Sequence, residues 1–166
     1  MAKGCKVTQS PPLMTALSEE QKVELISAAI KAKDGSYSPY SKFRVGAALL
    51  ASDGRIITGA NIENAAYGPT ICAERTAIVK AVSDGIRSFS ALAVTTDVPS
   101  PISPCGVCRQ VLREFCSLKE MPIFLVPAGY DPANTTDMES SIVVTDLETL
   151  LPHSFGPEQL LQPRLP

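Results

Sequence analysis

Phe43-Arg44-Val45-Gly46-Ala47-Ala48-Leu49-Leu50-Ala51 and Ile56-Ile57-Thr58-Gly59-Ala60 are two apolar runs flanking Asp53-Gly54, a strong hairpin signal. They predict a pair of antiparallel strands. Upstream, Ser18 followed by Glu19, Glu20 and Gln21 has the pattern of a capping box, and Val23, Ile26, Ala29 and Ile30 recur at helical spacing. A helix is therefore expected over 18–33, stopped by Gly35-Ser36-Tyr37-Ser38-Pro39-Tyr40. Downstream, a polar loop over 61–69 leads to a helix over 72–83, closed by Gly85. A short strand over 89–95, a proline-rich loop, an amphipathic helix over 105–117 and strands over 122–126 and 142–145 complete the pattern, with a hydrophilic loop over 127–141. The order α-β-β-α-β-α-β-β with a short helical tail predicts an α/β fold, a mixed sheet with helices on its faces. Residues 1–17 contain Pro11-Pro12 and no period, and read as a flexible extension. Residues 18–166 then form a single domain.

A chain of 166 residues is long enough to bury most of its apolar surface without covalent staples. Its 15 basic and 17 acidic residues leave a formal charge of -2, and no basic run is interleaved with aromatics. That balance offers no footprint for nucleic acid and favours a small-molecule substrate. The longest apolar runs are far short of a membrane span, and the lysines near the start precede no hydrophobic stretch. No membrane partner and a cytoplasmic location are the expectation.

Five cysteines without an export signal point to thiol or metal chemistry rather than disulfides. Cys5 lies in the extension and Cys116 in an apolar register, whereas Cys72, Cys105 and Cys108 sit at expected helix starts. Cys105 and Cys108 are three residues apart, so both sulfurs share one face of a first helical turn. Free N–H groups and the positive end of the helix dipole favour thiolates there. Soft anionic sulfur in a tetrahedron is what Zn²⁺ prefers. Cys72-Ala73-Glu74-Arg75 opens the other helix and supplies a third thiolate. Cys116 is eight residues beyond Cys108, about 12 Å along a helix axis at about 1.5 Å per residue, against a bond of about 2.3 Å. It cannot complete the shell. The single histidine, His153, reads as a surface residue. One zinc per chain, with three protein ligands and an open position, is the signature of a catalytic site.

Glu74 is two residues from Cys72 and does not share its face, so it is badly placed to ligate the same ion. It is placed instead to act as general acid and base on a water at the metal. Three thiolates overcompensate a divalent ion. Arg75, one turn after Cys72, is the candidate for offsetting that charge, together with the two helix dipoles.

Cys72-Ala73-Glu74-Arg75 together with Pro104-Cys105-Gly106-Val107-Cys108-Arg109-Gln110 resembles the zinc cytidine deaminases, in particular the small homotetrameric class with three cysteine ligands. The segments 37–48, 61–67 and 151–157 are also similar to that family. The resemblance implies a three-layer fold with a mixed five-stranded sheet flanked by helices. It implies deamination of cytidine and 2′-deoxycytidine to uridine and 2′-deoxyuridine in pyrimidine salvage. By position, Asn61 and Glu63 would hold the ribose 3′-hydroxyl and Phe43 would pack on the pyrimidine. Ala65 and Tyr67 would border the 5′ end of a neighbour's sugar, and Phe155 of another subunit would close over the base. The loop over 127–141 and the extension over 1–17 are longer than the family pattern.

Other readings are open to the same residues. A deaminase of a cytosine-nucleoside antibiotic is the alternative that the sequence does not exclude, whereas an editing enzyme for polynucleotides would need the basic groove this chain lacks. From another class, Cys105-Gly106-Val107-Cys108 could form the dithiol of a thioredoxin-like oxidoreductase. A non-catalytic domain stabilised by metal is a third.

Overall fold

A computed structural model of the chain describes residues 17–133 and 141–164. The first helix, α1 (Glu19–Ala32), begins with the expected capping box. The Gln21 N–H donates to Ser18 Oγ and the Ser18 N–H donates to Gln21 Oε1, which satisfies two donors that a helix start leaves unpaired. Glu19 and Glu20 in its first turn and Lys31 in its last complement the helix dipole. Its buried face carries Leu25, Ile26 and Ala29.

The hairpin follows as β1 (Val45–Ala51) and β2 (Ile56–Ala60), with Leu50 opposite Ile56 and Gly46 opposite Ala60. The turn spans three residues, Ser52, Asp53 and Gly54. The Gly54 N–H donates to the Ala51 carbonyl at 3.0 Å and the Ala51 N–H to the Arg55 carbonyl at 2.8 Å. Gly54 takes φ 89°, the left-handed position such a loop requires. Then come α2 (Ala73–Ser83), β3 (Phe89–Thr96), α3 (Gly106–Phe115), β4 (Ile123–Val126), β5 (Val143–Thr145) and two short helices, α4 (Leu147–Leu150) and α5 (Pro157–Leu160).

The sheet order is β2-β1-β3-β4-β5. β3 and β4 pair in parallel and all other neighbours are antiparallel. The one parallel pair is bridged by α3, because parallel neighbours need a crossover rather than a tight turn. Alternation along the strands divides the core in two. Ala47, Leu49, Leu92, Val94, Ile123 and Leu125 pack with Ala77, Ile78 and Leu112 of α2 and α3. Ala48, Leu50, Ala91, Ala93, Phe124 and Val126 pack with Leu25, Ile26 and Ala29 of α1. The result is the three-layer arrangement expected for the chain.

Two glycines set how close the helices approach. A methyl on Gly46 would strike the backbone of Ala29 in α1 and of Lys33 at its C-cap, and one on Gly59 would strike that of α2 at Ala73 and Ala77. The first turn of α2 thus sits directly on β2. α3 ends at Phe115, short of the expected 117, because Cys116 has an extended backbone (φ -121°, ψ 145°) and turns into the core. Cys5 and nearly all of the extension, as well as residues 134–140 of the hydrophilic loop, lie outside the described residues. Among the described residues, no helix is long and apolar enough to cross a membrane.

Candidate active site

α2 and α3 converge at their N-termini. Cys72 is the N-cap of α2 and Cys105 the N-cap of α3, both with extended backbones and neither with a side-chain cap. The first-turn N–H groups of both helices are therefore left to an anionic neighbour. The Cys72 and Cys105 sulfurs are 3.9 Å apart and those of Cys105 and Cys108 3.5 Å. All three lie within 4.8 Å of one another. A tetrahedral ion with zinc–sulfur bonds near 2.3 Å spaces its ligand atoms about 3.8 Å apart, so the cluster fits zinc without rearrangement. Cys116 is buried in the core, where desolvation pushes its thiol up to about 12, and it is not part of the cluster.

Glu74 is 4 % exposed. With Cys72 and Cys105 it lines a cavity of about 200 Å³ whose other walls include Phe43, Asn61, Val94, Thr96, Ile102 and Ser103. Burial holds the Glu74 carboxyl up at about 7, and the neighbouring Cys72 charge pushes the same way. The Cys72 thiol is drawn down to about 5, first by the hydrogen bond from Cys108 and then by Arg75 and Cys105. Cys108 moves the other way, because Cys72 holds its proton and the site buries it. Arg75 Nη2 donates to Cys72 Sγ at 3.6 Å and to the Thr70 carbonyl at 3.2 Å. The Arg75 guanidinium therefore touches the sulfur of Cys72, three residues before it.

Phe43 and Asn61 line this cavity, and Glu63 does not. Glu63 faces a second opening of about 370 Å³ with Tyr40, Ser41, Tyr67 and Thr70. Thr70 lines both. Glu63 Oε2 accepts from the N–H groups of Tyr40 (2.9 Å) and Ser41 (3.2 Å). A hydrogen bond from the Ser41 side chain is the largest influence holding its carboxyl below the usual range. Asn61 has a task that the sequence did not announce. Its Oδ1 accepts from Ser36 Oγ (2.6 Å) and the Val45 N–H (2.8 Å), and its Nδ2 donates to the Phe43 carbonyl (2.9 Å). It ties the Phe43 loop to β1, and among the described residues its second amide N–H has no protein partner.

Ala65 and Tyr67 stand exposed on the loop before α2, with the Tyr67 ring edge-on to Tyr40 at 6.2 Å. Phe155 is 60 % exposed and lines neither cavity; its carbonyl accepts from Gln110 Nε2. His153 is exposed, as expected. Ser36, Ile102, Ser103 and Arg109 were not singled out by sequence. Arg109 lies within the cysteine motif, but its partners, one of them 41 residues away, carry no local signal.

The sequence matches the family model described as the cytidine and deoxycytidylate deaminase zinc-binding region over residues 19–125. The chain belongs to this deaminase family. The cytidine deaminase of Sporosarcina psychrophila is 53 % identical over 137 residues, covering 82 % of this chain and 93 % of that one. That of Halalkalibacterium halodurans is 46 % identical over 140 residues, covering 82 % and 95 %. Among solved structures, the cytidine deaminase of Burkholderia pseudomallei is 40 % identical with a TM-score of 0.68, over 80 % of this chain and 97 % of that one. The Mycobacterium tuberculosis cytidine deaminase is 39 % identical with a TM-score of 0.64, over 80 % and 95 %. The mixed five-stranded sheet with helices on both faces is thus a deaminase fold, and the thioredoxin-like reading is set aside. Zinc is the cofactor of this deaminase, and the three-sulfur cluster fits it.

Proposed function

We propose that this chain is a zinc-dependent cytidine deaminase, which hydrolyses cytidine and 2′-deoxycytidine to uridine and 2′-deoxyuridine with release of ammonia. The observation that carries the reading is the buried Glu74, which shares a small, largely apolar cavity with two of the three clustered sulfurs. Cys72, Cys105 and Cys108 hold the zinc, which when bound acts as a Lewis acid that makes water a nucleophile near neutral pH. Glu74 takes a proton from the water attacking C4 and gives it to ring N3. It then carries the remaining proton to the departing amino group. One water is consumed and one ammonia released. Arg75 offsets the excess negative charge of the thiolates.

The base packs against Phe43. Glu63, with Oε2 already tied to Tyr40 and Ser41, offers its other oxygen to a sugar hydroxyl, and Asn61 offers its remaining N–H. A site built around such bonds penalises ligands that lack the group. Among the described residues, neither cavity is lined by a lysine or arginine, while Glu63 and Glu74 contribute carboxylates. An uncharged nucleoside suits this lining and a 5′-phosphate does not. The exposure of Tyr67 and Phe155 supports a homotetramer in which Ala65 and Tyr67 border a neighbour's sugar and Phe155 covers a neighbour's base. Residues 18–166 form the catalytic domain and 1–17 an extension, in a cytoplasmic enzyme of pyrimidine salvage.

The test is the ultraviolet change on adding cytidine, deoxycytidine, cytosine, CMP and dCMP, measured alongside zinc stoichiometry. Turnover of both nucleosides with one zinc per chain is expected, and inactivity on both would overturn the reading.

A further inference from the structure

Of the three clustered sulfurs, that of Cys105 has the least support from its surroundings. Cys108 is buried within α3. Cys72 starts a helix pressed onto β2 at Gly59, and its carbonyl accepts from the Thr76 hydroxyl. Cys105 is exposed and follows a segment, 99–104, that contains Pro99, Pro101 and Pro104. Prolines cannot donate backbone hydrogen bonds, so such a loop has few ways to hold its place.

Among the described residues, the hydrogen bonds that reach 99–104 come from one side chain. Arg109 Nε donates to the Pro104 carbonyl at 2.6 Å and Nη2 to Ser103 Oγ at 2.8 Å. Its Nη1 donates to the Leu150 carbonyl at the end of α4, at 2.7 Å. The Arg109 backbone N–H closes the first turn of α3 on the Cys105 carbonyl at 2.9 Å. Side chains on a helix lean toward its N-terminus, which carries the guanidinium back past the cysteines to the loop. Among the described residues, no acid is paired with Arg109. All three of its partners are neutral, and each guanidinium nitrogen takes a different one. A rigid planar fork can serve three separated acceptors at once, and a flexible ammonium cannot hold them in one plane.

We infer that Arg109 is a positioning residue for the metal site, bracing Ser103 and Pro104 against α4 so that Cys105 is presented in ligating geometry. The inference rests on the assignment of Cys72, Cys105 and Cys108 as zinc ligands. It differs from the role given to Arg75, which touches sulfur and compensates charge. Arg109 acts through shape, so its charge alone is not sufficient.

The experiment follows zinc release from the full-length holoprotein to a chromogenic chelator in wild type, Arg109→Gln, Arg109→Lys and Ser103→Ala. Cobalt-substituted samples report sulfur–metal charge-transfer absorption. Both arginine variants should release zinc at least tenfold faster, with a weakened charge-transfer band, and Ser103→Ala should fall between them and wild type. Unchanged release and an unchanged band in a folded Arg109→Gln would overturn the inference. Full restoration by Arg109→Lys would do so too, because charge would then be sufficient. If Arg109→Gln fails to fold, Arg109→Lys and Ser103→Ala decide the matter by the same two readouts. A wild-type protein that holds no zinc would instead overturn the ligand assignment itself.

Discussion

Cys72 and Cys105 are 33 positions apart in the chain, and their sulfurs stand 3.9 Å apart at the starts of two different helices. That juxtaposition makes one anionic cluster out of two short motifs, and it sets Glu74 beside the cluster rather than in it.

Glu74→Gln should retain the fold and one zinc per chain while losing about 10²–10⁴-fold in kcat, the scale of a positioned general acid and base. Steady-state kinetics with metal analysis on the same sample checks this. Activity within tenfold of wild type would mean that protons travel by another route.

Gly59→Ala should loosen the first turn of α2, since the added methyl meets backbone at Ala73 and Ala77. Backbone has to move to admit it, at about 1–3 kcal/mol. Urea unfolding of the metal-free forms measures that loss, and chelator competition should show weaker zinc binding, because Cys72 directly precedes the displaced turn. Equal stability and equal zinc affinity would show that α2 can slide on β2 freely.

Removing zinc should change which thiols react. Cys105 is exposed and Cys72 partly so, whereas Cys116 is buried in the core with its thiol pushed up to about 12. Alkylation with peptide mapping should find Cys72 and Cys105 protected in the holoenzyme and modified after chelation, with Cys116 slow in both states. Rapid modification of Cys105 before chelation would argue against its being a ligand.

Asp97 gives a pH-dependent contribution to stability. Hydrogen bonds from Arg44, then Lys33, hold its carboxyl down to about 2. A depressed carboxylate stabilises the fold above its unfolded value of about 3.9, and that contribution fades as the pH falls through about 4 toward 2. The difference in unfolding free energy between wild type and Asp97→Asn should be about 1 kcal/mol at pH 6 and vanish only as the pH falls below about 2. A difference independent of pH would assign the effect to packing.

If Phe155 serves a neighbour, Phe155→Ala should raise KM for cytidine severalfold while kcat changes little. Co-assembly with excess Glu74→Gln chains, which carry an intact Phe155, should restore the low KM. No restoration would place Phe155 outside the neighbouring site.

The sequence by itself determined the elements and the chemistry of each motif, because both are local. The Ser18 capping box, the helical period through Val23 and Ile26, and the three-residue spacing of Cys105 and Cys108 act within a turn or two of chain. The alternating cores that sort Ala47 and Leu49 from Ala48 and Leu50 follow from strand geometry. Tertiary structure alone decided which distant residues meet. Sheet register and the close approach of α2 at Gly59 bring the two helix starts together. The link from Ser36 to Asn61 spans 25 positions and commits Asn61's oxygen inside the protein. Arg109 finds a loop and the end of α4 by reaching across a gap that no period or spacing encodes. Hydrophobic pattern specifies which face of an element is buried, whereas the partner of a polar atom depends on where the packed elements leave an acceptor.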